Sequence, residues 1–326
     1  MRDSVGVCAL VVLLGGGIST ATQDSVAVSE HTTGGGFAYI VERGDTITVL
    51  SARFGIDRAV LARDNGLAAN ARLVAGQVLA LDNRHIVPAV RDVTIVVNVP
   101  QRMLFYLDDE TAPHGYPIAV GQRDWPTPRG PFEVVAREED PTWNVPRSIQ
   151  EEMRQSGQQV VTQVPPGPTN PLGRFWFGLS LPGIGIHGTS APISIYRPVT
   201  HGCIRLHPDD AQELFLRLPI GASGRIVYEP VLVAIVDGTV FLEAHTDVYR
   251  LSSGDPLPAI GRALESMGLA DAVDWSAARD VLKLRDGVAR AIGRSAGAPQ
   301  QADERGDADP GRHDETRGRN PRQNPR

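Results

Sequence analysis

The densest chemistry in the 326-residue sequence lies in Gly185-Ile186-His187-Gly188-Thr189 and in Thr200-His201-Gly202-Cys203-Ile204-Arg205. Cys203 is one of only two cysteines, and the other, Cys8, sits in an apolar N-terminal run. A thiol attacks as thiolate, and a nearby imidazole supplies that form by taking the proton and then facing the anion as a cation. His187, sixteen positions upstream on an apolar segment, is the favoured base, reaching Cys203 from a neighbouring strand. His201 stands two positions before the cysteine and flanks the sulfur if the chain there is extended, because alternate residues share a face. Gly202 lets the backbone turn close to a substrate, which makes the amides of residues 201–203 candidates for an oxyanion hole. Gly188 frees a carbonyl, its own or that of His187, to orient the imidazole. The chemistry of such a set is acyl transfer through a thioester.

Two other kinds of chemistry fit less well. His187, His201, Cys203, His207 and Asp209 fall within 23 residues, which raises zinc, but no second cysteine stands nearby and neither C-x-x-C nor H-E-x-x-H spacing occurs. No metal and no other cofactor is expected. A papain-like protease places its cysteine far upstream of its histidine, the reverse of the order here. The formal charge of -6 argues against a nucleic-acid partner, which needs a basic surface, and Lys283 is the only lysine.

The elements around these residues fall into segments. Arg2, the apolar run Val5 to Leu14 and the small residues Ser19-Thr20-Ala21 have the plan of a secretory signal peptide over 1–21, with an uncleaved N-terminal anchor as the alternative; either sends the chain out of the cytoplasm, to the periplasm, and a chain freed of the leader keeps one thiol. Residues 22–36 read as a flexible linker ending in three glycines. A β-α-α-β unit follows over 37–82, with Thr46 and Asp57 as helix caps, Gly55 as a stop and Asn65-Gly66 as a turn. From 93 to 230 short alternating apolar runs predict many strands, the proline-dense stretch 126–182 predicts loops, and Asp209 to Leu218 predicts an amphipathic helix. Strands and two helices are expected over 231–295, the first helix capped by Asp255 and the second running from Ser276 to Ile292. The tail 296–326 carries no large apolar residue and is expected to be disordered. The fold class is α+β, with a mostly β catalytic domain, a β-sandwich, followed by a short helical appendage.

The first unit resembles the LysM family of glycan-binding modules in Tyr39-Ile40-Val41, Gly44-Asp45-Thr46-Ile47, Phe54-Gly55, Asn65-Gly66-Leu67 and Gly76-Gln77-Val78-Leu79. The second resembles the YkuD-type L,D-transpeptidases, whose signature is a histidine followed some sixteen residues later by Ser/Thr-His-Gly-Cys. His187 and Thr200-His201-Gly202-Cys203 with Arg205 match it, and Asp124-Trp125-Pro126-Thr127-Pro128, Asp140-Pro141-Thr142-Trp143 and Asn170-Pro171-Leu172-Gly173 are similar to the periplasmic branch with an N-terminal LysM. The resemblance implies a YkuD-like fold and attack by Cys203 on the bond between diaminopimelate and D-alanine in peptidoglycan tetrapeptide stems. An amine then takes the acyl group, giving a 3-3 crosslink or a link to a lysine of an outer-membrane lipoprotein. Arg205, Gly188 and Thr200 are expected to contact substrate, Arg205 by pairing with a stem carboxylate. The competing readings are a thioester hydrolase, acting as an L,D-carboxypeptidase or releasing lipoprotein, and a non-catalytic wall-binding protein. Glycan binding and chemistry are expected on separable units.

Overall fold

The computed structural model describes residues 26–108 and 111–295. The expected leader 1–21, with Cys8, and the charged tail 296–326 lie outside these described residues.

Short-range signals build the first unit. β1 (Gly36–Ile40) pairs antiparallel with β2 (Val78–Asp82), and α1 (Ile47–Phe54) and α2 (Arg58–Asp64) lie between them in the chain. Thr46 caps α1 by accepting the Val49 amide at 3.1 Å, Gly55 closes it at φ +69°, and Asp57 caps α2 through the Ala59 amide at 2.8 Å. Tyr39, Leu50, Leu61, Leu79 and Leu81 form its core together with Val288 from the far end of the chain. The unit is anchored, not tethered: Arg63 Nη2 donates to Asp286 at 3.0 Å and the Ala289 amide donates to the Arg84 carbonyl at 3.0 Å.

The described part of the expected linker is docked as well. Val28–Ser29 runs parallel to Val233 and Ala234, and Thr32–Thr33 pairs with His85–Ile86. Val26 and Val28 pack on the C-terminal core, an apolar anchor that the polar composition of 22–36 masks.

The catalytic unit is one continuous sheet of β3 (Ile95–Asn98), β4 (Met103–Asp108), β5 (Thr111–Gly121), β6 (Gly130–Glu139), β7 (Phe175–Leu179), β8 (Gly185–His187), β9 (Pro198–Thr200), β10 (Ile204–Leu206) and β11 (Ser223–Val227). The order is β9-β5-β10-β8-β7-β6-β11-β3-β4. Long β5 pairs with β4 through its first half and with β10 through its second, so the ladder returns on itself around the main core. Ile95, Leu104, Tyr116, Ile118, Phe177, Ile186, Ile204 and Leu206 fill that core. The proline-dense stretch between β6 and β7 carries a helix, α3 (Arg147–Gln155), with no buried residue, and α4 (Pro208–Arg217) follows β10 and inserts Ala211 and Leu214 into the core.

Beyond the catalytic sheet, β12 (Val231–Val236), β13 (Thr239–Ala244), α5 (Leu257–Ser266), α6 (Trp275–Leu284) and β14 (Arg290–Arg294) complete the described chain. Val28–Ser29, β12, β13 and β14 make a second sheet on which α5 and α6 pack through Ile260, Leu264, Ala278 and Val281. The helix expected from Ser276 to Ile292 therefore stops at Leu284. Arg285 takes the left-handed conformation at φ +48°, Asp286-Gly287 breaks the helix, and Arg290 onward pairs with β13. Among the described residues no helix is long and apolar enough to cross a membrane.

Candidate active site

Strand register sets the site. β8 and β10 are parallel neighbours with Ile186 opposite Ile204 and His187 opposite Arg205. Both isoleucines are fully buried, each contributing about 1.5–3 kcal/mol. A one-residue slip would turn both outward, so the register is firmly specified. Alternation then puts His187 and Arg205 on the opposite face. Gly185 shares that face, and its amide, with the Arg205 charge, meets the Cys203 thiol just ahead of β10. A Cβ on Gly185 would fall 2.2 Å from the ring of Trp176, which stacks on His187 with centroids 6.0 Å apart.

Cys203 sits in a turn. Residues 201–203 lie between β9 and β10, with Gly202 at φ +104°, a conformation that favours glycine. The chain is thus not extended there, and the same-face expectation for His201 fails: its Nε2 is 2.7 Å from Glu152 Oε2 on α3, and its ring lies 5.4 Å from that of Trp125. Thr200, expected to touch substrate, is buried and braces the turn: its Oγ1 accepts the Gly202 amide at 3.2 Å and donates to the Cys203 carbonyl at 2.5 Å. The Gly202 amide is therefore already engaged within the protein. Outside the turn, Thr127 Oγ1 donates to the Gly202 carbonyl at 2.9 Å, and Tyr249 accepts the Thr127 amide at 3.0 Å while donating to the Gly121 carbonyl at 2.7 Å. Thr127 lies in a motif visible in the sequence, whereas nothing in the local sequence marked Tyr249, Glu152 or Trp176.

Electrostatics make the resting pair neutral. Burial, and then the positive charge of Arg205, lower the His187 imidazole to about 3. Burial pushes the Cys203 thiol up, against the opposing effects of the Gly185 amide and the Arg205 charge. The sulfur is half-exposed and 3.7 Å from the Gly183 carbonyl. His187 Nδ1 lies 2.6 Å from the Gly188 carbonyl, so Nδ1 carries the proton and Nε2 is the basic atom. Gly188, expected among the substrate contacts, thus has its carbonyl on the imidazole. Arg205 Nη1 donates to Ser194 Oγ at 2.9 Å, and its buried Nε has no hydrogen-bond partner.

Residues 92–233 match the YkuD family, the L,D-transpeptidase catalytic domain, and residues 39–82 match the LysM domain. The chain is 32% identical over 234 residues to the probable L,D-transpeptidase ErfK/SrfK of Salmonella typhimurium, covering 69% of this chain and 74% of that one. It is 29% identical to the probable L,D-transpeptidase YcfS of Escherichia coli, covering 69% and 73%. With the putative L,D-transpeptidase YkuD of Bacillus licheniformis it shares 33% identity over 56% of this chain and 94% of the other. A closed β sheet that matches the YkuD family, a LysM unit ahead of it and relatives matched over most of their length place the chain in the L,D-transpeptidase family.

Proposed function

We propose that the protein is exported by residues 1–21 to the periplasm and there crosslinks peptidoglycan through Cys203. The observations that support this reading are the β8–β10 register, which puts His187 and Arg205 on one face, the Cys203 thiol meeting both the Gly185 amide of β8 and the Arg205 charge, and the His187 Nδ1 turned to the Gly188 carbonyl, which leaves Nε2 as the basic atom. A tetrapeptide stem binds with a carboxylate toward the positive charge of the Arg205 guanidinium beside Cys203. Cys203 Sγ attacks the carbonyl between diaminopimelate and D-alanine as its proton passes to His187 Nε2. The growing negative charge on sulfur raises the affinity of the ring for that proton, so a ring that is neutral at rest serves as the base. The Cys203 amide faces the developing oxyanion, since the Gly202 amide is occupied by Thr200. His187 then protonates the departing D-alanine amine, leaving a thioester. The amine of a second stem attacks it, His187 takes that amine's proton, and the thiol is regenerated with a new amide bond.

The test is incubation of purified protein with tetrapeptide muropeptides and mass spectrometry of the products. A 3-3 dimer with release of D-alanine is expected, and Cys203→Ala yields none while still pelleting with sacculi. A tripeptide without dimer means that water is the acceptor; no change in the muropeptides leaves a wall-binding protein. A lysine-ended peptide as the third arm measures transfer to a lipoprotein-like acceptor.

A further inference from the structure

Away from Cys203, three side chains from distant parts of the chain converge in the interior. His85 follows β2, Glu243 lies in β13 and His245 just beyond it, and none of the three is more than 1% exposed. His85 Nδ1 is 2.7 Å from Glu243 Oε1, His245 Nε2 is 2.6 Å from the same oxygen, and Gln101 Nε2 donates to it at 3.0 Å. Glu243 Oε2 accepts the Ile86 amide at 2.5 Å. The other His85 nitrogen, Nε2, lies 3.0 Å from the Gly55 carbonyl.

The proton count is awkward if these are only hydrogen bonds. A carboxylate oxygen has two lone pairs in its plane, yet Oε1 meets three nitrogens. If all three donate, His85 must carry protons on both nitrogens. His245 must then donate through Nε2, which leaves Nδ1 either a bare lone pair or a second proton, and that atom is buried without a partner. A divalent cation at the convergence removes the crowding. Both imidazoles turn lone pairs inward as neutral ligands and Glu243 supplies an anionic oxygen. The one proton of His85 then sits on Nε2 against the Gly55 carbonyl, the outer contact that characteristically orients a metal-bound imidazole. The proton of His245 moves to Nδ1, which packs so close to Gly287 that a Cβ there would fall 3.0 Å from it and 3.4 Å from the Tyr196 hydroxyl.

We propose that His85, Glu243 and His245 form a divalent metal site of the two-imidazole, one-carboxylate kind that suits zinc. Their ligand atoms lie within 4.8 Å of one another, and the two short nitrogen–oxygen gaps must open by about 0.6 Å to hold zinc at its usual distances of about 2.0–2.1 Å. The ligands and their supports come from the LysM unit, the β3–β4 connection and the second sheet, so the ion would clamp three parts of the chain together. This site is distinct from the nucleophile, and its existence does not depend on the transfer reaction.

The test uses the mature chain with any affinity tag removed, stripped with chelator, desalted and titrated with zinc. The expected results are about one equivalent retained through gel filtration and a Tm raised by several degrees, as binding to the folded state alone requires. Glu243→Gln and His245→Gln lose both effects, whereas Cys203→Ser, which removes the mature chain's thiol, keeps them. The wild-type titration decides even if the variants fold poorly. No retained zinc and an unmoved Tm overturn the proposal and leave a hydrogen-bonded cluster; so does zinc binding that survives Glu243→Gln or is lost in Cys203→Ser.

Discussion

Alkylation of Cys203 by iodoacetamide across pH separates a resting thiol from a resting thiolate. Burial, and then the Arg205 charge, lower His187 to about 3, so the ring is neutral at pH 7 and no imidazolium stands ready to hold an anion. A cysteine at its ordinary value is only about a few per cent ionised at pH 7, and burial lifts Cys203 above that value. The alkylation rate is therefore expected to rise about tenfold per pH unit between pH 6 and 8, in proportion to the thiolate fraction, and to keep rising beyond pH 9. The assay follows adduct mass on the chain from residue 22, which lacks Cys8. Arg205→Met supplies the sign: the arginine favours thiolate, so its loss slows alkylation at fixed pH, and it also releases the His187 imidazole upward. A rate that is flat from pH 5 to 8 would mean a preformed thiolate–imidazolium pair and refute the neutral resting state. Faster alkylation of the Met variant would refute the assigned role of Arg205.

Two further substitutions probe the turn that carries the sulfur. Thr200→Val removes both the acceptor for the Gly202 amide and the donor to the Cys203 carbonyl, at about 1–3 kcal/mol for each buried group left unpaired. Turnover should fall more than about tenfold, the kinetic equivalent of at least 1.4 kcal/mol, while Thr200→Ser stays near wild type; equal rates for Val and wild type would remove the hydroxyl from the account. Tyr249→Phe breaks the bonds to Thr127 and Gly121, so stability should fall by about 1–3 kcal/mol and kcat more than KM, measured by thermal unfolding and muropeptide turnover.

What the sequence discloses follows the range of the interactions. Thr46, Gly55 and Asp57 act within a turn of their own position, and the helix ends they imply are where the chain places them. The nucleophile signature is likewise local, so Cys203 and His187 stand out before any fold is known. The part played by Thr200 is hidden because a hydroxyl in a signature suggests substrate, whereas a glycine at φ +104° creates a turn whose amide needs that hydroxyl. Tyr249 reaches Thr127 across 122 positions and His85 reaches Glu243 across 158, distances at which spacing carries no information. The helix expected over Ser276 to Ile292 is real as far as Leu284 and overlong beyond it for another reason: its apolar residues suit both a helical stripe and a strand, and pairing with β13 decides the second half.

The same long-range contacts change what the LysM unit is to the enzyme. A module on a flexible spacer only raises the local concentration of thiol near the wall, and removing it leaves the chemistry intact. Here Val288 completes the LysM core, Asp286 holds Arg63, and Ala52 of α1 packs in one cluster with Ile195 and Tyr196. Those two residues directly follow Ser194, whose hydroxyl accepts Arg205 beside the nucleophile. Deleting 37–82 would strip apolar surface from both neighbours and free the loop that positions Arg205. A dead deletion variant would then report lost packing, not a catalytic LysM. Under the proposed function, a docked module sets the span between a glycan strand bound to it and the sulfur, whereas a tethered one only brings the wall nearby.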